Sequence, residues 1–139
     1  MIDGEISYKS LLFVSESLEQ LLGQHGAKAV LRSAGQRAST NLIEMLPLTL
    51  PEDEAARRTG YLLVDFGFIE GLELSDPDTL KVSGNYLLQE LEGLKLEGTQ
   101  SVRYYLFGLF EGFFKQMSGS ARKIVSFNVD VGFELWHLG

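Results

Sequence analysis

Gln100–Met117 reads QSVRYYLFGLFEGFFKQM, and its apolar side chains recur every three or four positions. Val102, Tyr105, Leu106, Leu109, Phe110, Phe113, Phe114 and Met117 therefore fall on one wide stripe of a helix, which the spacing predicts to be the buried centre of the fold. Gly108 and Gly112 flank that stripe one turn apart. Each costs about 1 kcal/mol in helix propensity and leaves a bare edge that another backbone or an elongated apolar ligand can approach closely. Gly98 or Thr99 is placed to cap this helix.

Downstream, Ser118, Gly119 and Ser120 make a turn into the clearest strand of the chain, Ala121–Val131. Val125, Phe127, Val129 and Val131 alternate there with Ser126, Asn128 and Asp130. Asp130, Val131 and Gly132 suit a hairpin turn, and Phe133, Leu135 and Trp136 carry a last strand. Upstream, the period is also two. Val64, Phe66 and Phe68 share one face, Gly71 interrupts as a bulge, and Leu72 and Leu74 resume the alternation. Ser75–Asp78 supplies a turn into a second strand with Leu80 and Val82 on one face and Lys81 and Ser83 on the other. Tyr86–Leu96 fits either a short helix or an irregular cover, with Gly93 ending anything helical.

Ahead of the first hairpin the pattern is helical. Ile2–Tyr8 is too short and polar to assign and fits either a flexible arm or a partner-dependent segment, and Ser10 opens a helix whose face is Leu11, Leu12, Val14, Leu18, Leu21 and Leu22, with Gly23 as its stop. Gly26 suits a helical hairpin turn, and Ala27–Leu46 continues with Val30, Leu31, Ala34, Ala38, Leu42 and Met45 or Leu46 at helical spacing. The small residues Ala34, Gly35, Ala38 and Ser39 leave a shallow surface for close packing. Pro47 and Pro51 bracket a loop, and the acidic Glu52, Asp53 and Glu54 open a third helix toward Leu63. The order helices, hairpin, helix, hairpin predicts an α+β fold. It is a two-layer sandwich of N-terminal helices and one central helix against an antiparallel sheet of about four strands, all in a single domain of 139 residues.

Composition excludes several functions. A net charge of −7 with scattered Lys and Arg argues against nucleic acid as a partner. The absence of cysteine removes disulfides and thiolate metal ligands and fits a reducing cytoplasm. Asp3 and Glu5 stand where a basic n-region would be and no run of about 18 apolar residues occurs, so neither a secretory leader nor a membrane-spanning segment is expected. His25 and His137 stand apart from any carboxylate cluster, Glu111 reads as solvated or salt-bridged on the helix face away from the apolar stripe, and no serine lies in a GxSxG elbow. No general base, nucleophile or phosphate cradle is legible, and no enzyme activity is assigned.

Three segments, taken in order, are similar to one family. LRSAGQRAS at Leu31–Ser39, LVDFGFIEGLEL at Leu63–Leu74 and GLFEGFF at Gly108–Phe114 resemble the 4-vinyl reductase, or hydrocarbon-binding, domain family. That family shares a fold with TRAPP vesicle-tethering subunits and with haem nitric-oxide-binding domains. Many members carry cysteines that would fall near Arg103, Asn128 and Trp136 here, so the resemblance brings no metal site with it.

The resemblance implies a non-catalytic module that binds an apolar small molecule between the central helix and the sheet and acts through protein association. The ligand-facing residues would be Tyr105, Gly108, Leu109, Gly112, Phe113, Phe127 and Trp136. A core filled by its own aromatic residues is the competing reading of the same positions. The resemblance also implies two alternatives, a scaffold or assembly subunit and an accessory role in tetrapyrrole synthesis. Helical apolar surface on so small a chain, with the pairing habit of the family, points to a homodimer. No cofactor other than such an apolar molecule is expected.

Overall fold

The computed structural model describes residues 2–42, 49–96 and 100–139, with side chains from Lys9 onward and excepting that of Leu42. Gly98, Thr99, Met45, Leu46 and Pro47 lie outside the described residues. The elements are α1 (Ile2–Leu42), α2 (Glu52–Asp65), β1 (Ile69–Asp76), β2 (Thr79–Asn85), α3 (Tyr86–Gly93), α4 (Arg103–Ser118), β3 (Ile124–Asp130) and β4 (Phe133–Leu138). A single 3-10 turn, Gln100–Val102, leads into α4. The four strands form one antiparallel sheet in the order β1-β2-β4-β3, against which the helices pack. The expected α+β sandwich of two hairpins is thus the observed architecture, the hairpins meeting where β2 pairs with β4.

The N-terminal segment differs from the sequence expectation. Ile2–Tyr8 is helical and continuous with the segment that Ser10 was expected to open. The break falls at Gly23, with φ 76° and ψ 173°, which an L side chain adopts only under strain. Gly26 belongs to the helix that resumes at once, so a one-residue break stands where a longer hairpin turn was expected.

Val64–Phe68, whose alternation reads as strand, is instead the end of α2 and its cap. Gly67 sits at φ 81°, where its N–H bonds the Val64 carbonyl while the Phe68 N–H bonds that of Leu63. These paired bonds satisfy helix-end carbonyls and turn the chain into β1. The helix prevails because Ala55, Ala56, Thr59, Gly60 and Leu63 bury one continuous face against the core. Tyr86–Gly93 settles as a helix because the Asn85 side chain accepts the Leu88 N–H.

The sheet has one dry and one wet face. Leu80, Val82, Trp136 and Leu138 are buried, while Lys81, Ser83, Leu135 and His137 between them are half-exposed. Above the dry face lie Phe107, Phe110, Phe113 and Phe114 of α4, each at most 1% exposed. Phe107 meets Trp136 edge-on at 5.0 Å between centroids, and Phe110 stacks on Phe114 at 5.3 Å. Such pairs contribute about 0.5–1.5 kcal/mol each beyond the apolar area they bury.

Gly67→Ala is expected to destabilise the protein by about 1–2 kcal/mol, because the space beside Gly67 is open and only the positive φ opposes a side chain. Gly93→Ala has equally open space without a positive φ and should stabilise by about 0.4–1 kcal/mol. Urea midpoints at constant m-value measure both.

Candidate functional site

The edge of α4 marked by Gly108 and Gly112 is seated directly on the second half of α1. A Cβ at Gly108 would collide with the Arg32 carbonyl oxygen and one at Gly112 with the Ser39 hydroxyl. From the other side, a Cβ at Gly35 would strike the Tyr105 carbonyl oxygen and come within 2.8 Å of the Leu109 nitrogen. Three glycines on two facing helices therefore let the backbones touch, and α1 occupies the space beside the α4 edge. Gln116 Nε2 adds a hydrogen bond to the Ser39 carbonyl at 2.8 Å.

This seating carries Arg32 and Gln36 over Glu111. Glu111 is buried, and its carboxylate accepts from Arg32 Nε at 2.9 Å, Arg32 Nη2 at 2.5 Å, Gln36 Nε2 at 3.0 Å and the Ile124 amide at 2.9 Å. Arg32 also donates to the Ile124 carbonyl at 2.5 Å. Its guanidinium lies 5.8 Å and 5.7 Å from the rings of Tyr104 and Phe107. One side chain thus joins α1, α4 and the start of β3. Glu111 is ion-paired, as its sequence reading allowed, but inside the protein and not on a solvated face.

A second carboxylate repeats the arrangement at the opening of α4. Glu134 on β4 accepts from Arg103 Nε at 3.0 Å and Nη2 at 3.2 Å, from Asn85 Nδ2 at 3.2 Å and from Trp136 Nε1 at 3.0 Å. Arg103, Glu134 and Asn85 are all buried. The Arg103 guanidinium stacks 4.4 Å from the Phe127 ring and reaches Gln100 Oε1 at 3.3 Å. Four donors on each carboxylate occupy the lone pairs that a general base would use, so both act as joints between layers.

Of the residues marked as ligand-facing in the sequence, Gly108 and Gly112 lie in the helix seam, and Leu109, Phe113 and Trp136 are in the core. Tyr105 is half-buried against Phe68 at 6.2 Å, and burial pushes its phenol pKa up. Phe127 is half-buried, 5.6 Å from Phe107 and 6.5 Å from Tyr104. Phe127 and Trp136 come together through Phe107, whereas Tyr105 and Phe113 lie toward α2, by Phe68 and Phe66. Arg32, Gln36, Asn85 and Glu134 were not legible as partners of these groups. For Glu134 a signal existed, since it shares the strand parity of Trp136 and therefore its buried face.

Two clefts flank the Arg103–Glu134 pair. One of about 140 Å³ is lined by Glu19, Lys28, Ser101, Tyr104 and Phe127 among others. A more open one of about 430 Å³ lies between α3 and the β3–β4 hairpin, with Leu88, Glu92, Val129, Asp130 and Phe133 on its walls and Arg103, Asn85 and Glu134 beneath. His25 is exposed, and the His137 ring pairs with Asn128 Oδ1 at 2.7 Å. Among the described residues no group of three or more His, Cys, Asp or Glu side chains converges as a metal site, and no described helix is long and apolar enough to cross a membrane. No protein-family model matches the chain, and no curated protein sequence matches it significantly.

Gly108→Ala should destabilise by about 1–3 kcal/mol despite a gain of about 1 kcal/mol in helix propensity, because its new methyl meets rigid backbone. Glu134→Ala should cost about 3–5 kcal/mol by leaving Arg103 buried without its counter-ion. Chemical denaturation of each variant against the parent checks both figures.

Proposed function

We propose that this domain is a non-catalytic association module that works as a homodimer. The observation that carries the reading is where large apolar side chains reach water. Val14, Leu21 and Leu22, with half-exposed Leu18, follow helical spacing on one side of α1. Val125, Val129 and Val131 are 67%, 62% and 92% exposed along and just beyond β3. Large apolar side chains repeated along one element in water suit an association surface. The saturated carboxylates support a structural role for the interior, and the family resemblance supports assembly as the product.

A second reading, small-molecule binding with a regulatory outcome, is favoured by the cleft over Arg103. Its volume of about 430 Å³ falls in the range of about 300–1,000 Å³ common for ligand sites. The apolar ligand implied by the resemblance would rest there on Leu88, Val129 and Phe133.

Light scattering at micromolar concentration should give twice the chain mass of 15.5 kDa, and a particle of one chain mass overturns the association reading. Native mass spectrometry of freshly purified protein should show two chains without added mass. A bound small molecule would instead favour the second reading.

A further inference from the structure

The two outer strands of the sheet are guarded very differently. β1 lies under α2, where Gly60 comes so near Leu72 that a Cβ would stand 3.1 Å from it, and the strand carries exposed Glu70, Glu73 and Asp76. Covering helices and charges of this kind keep other strands from pairing with a sheet edge. β3, at the other end of the order, pairs with β4 on one side and with no strand on the other among the described residues. From Ile124 to Asp130 it holds one charged residue, Asp130 itself. A bulge between Ile124 and Ser126 limits the free edge to its later residues.

Those later residues are self-complementary. Phe127 and Val129 lie on the face whose β4 partners are the buried Trp136 and Glu134, while Ser126, Asn128 and Asp130 lie on the other. If two copies of β3 run antiparallel about Asn128, Phe127 of each meets Val129 of the other on one face. On the opposite face Ser126 can donate to the Asp130 carboxylate of the second copy, and Asn128 faces Asn128. Parallel pairing in register would set Asp130 against Asp130, which is repulsive. The charge pattern adds a reason, because a chain of net charge −7 repels its own copies least along a stretch nearly free of charge.

We infer that the second copy docks edge to edge on β3, antiparallel about Asn128, so that two four-stranded sheets become one of eight strands. This rests on the homodimer reading and names the surface and register for it. Backbone hydrogen bonds supply the association, and the Phe127–Val129 contacts set the register.

The chain has no cysteine, so Asn128→Cys introduces one thiol per copy. Facing Cα atoms of antiparallel strands stand about 4.5–5.5 Å apart, within the about 4.4–6.8 Å that a disulfide spans. Oxidised Asn128→Cys should run as a covalent dimer on a non-reducing gel. Val129→Lys, at a position already exposed, should keep its circular dichroism spectrum and weaken association at least about thirtyfold by placing an unpaired charge in the interface. Leu21→Glu should remain dimeric. A dimer that survives Val129→Lys, or an Asn128→Cys dimer that does not cross-link, overturns the β3 interface. If Leu21→Glu dissociates in its place, association stands and moves to α1. A wild-type particle of one chain mass overturns the interface and the association reading together.

Discussion

The backbone-to-backbone contact of α1 with α4 sets the positions of the buried charges and of β3. Gly35, Gly108 and Gly112 bring two helix backbones together where side chains would otherwise hold them apart. Each glycine weakens its own helix by about 1 kcal/mol, so the arrangement is maintained by what it positions and not by local preference. It positions Arg32 and Gln36 over Glu111, and through Glu111 it fixes the Ile124 amide at the start of β3. A helix pair, a buried charge and a strand origin are thus one mechanical unit.

Two carboxylates in an apolar interior would be costly if left incomplete. Withdrawing an ion from water carries a penalty of several kcal/mol even after relaxation, which pairing offsets only when the geometry is good and the remaining lone pairs are met. Glu111 and Glu134 meet that condition by different routes: the first uses an arginine, a glutamine and a backbone amide, the second an arginine, an asparagine and an indole. Asn85 serves twice, since its amide nitrogen reaches Glu134 while its carbonyl oxygen caps α3. The wall of the larger cleft is therefore tied to the same network that closes its floor. The aromatic ladder Tyr104, Phe107, Phe127 and Trp136 runs between the two arginines, so charge and packing reinforce one another.

The periphery divides as clearly as the core. At one end of the sheet α2 covers β1, and Arg122 bridges Glu52 and Asp78 across the sheet's lower corner. At the other end β3 keeps its valines in water, and along α1 the apolar side chains follow helical spacing next to the face that buries Leu12 and Ser15. The interior charges are thus saturated with partners, whereas the apolar side chains of α1 and β3 stay in water.

The sequence by itself determined what depends on neighbours a few residues away. The stripe from Val102 to Met117, the alternation of Leu80 and Val82 with Lys81 and Ser83, the acidic start of α2 and the turns at Ser75–Asp78 and Asp130–Gly132 all follow from local geometry, and they fixed the α+β order. Val64–Phe68 lay at the limit of that reasoning. Its apolar residues satisfy both a period of two and the end of a helix, and only the burial of the whole α2 face, closed by left-handed Gly67, separates them. The tertiary structure alone decided what fills the glycine edge of α4 and which residues answer the two carboxylates. Arg32 and Glu111 are 79 residues apart and Arg103 and Glu134 are 31 apart. No periodicity or spacing encodes such a pairing, because it exists only once α1, α4 and the sheet are packed and the carboxylates have lost their water.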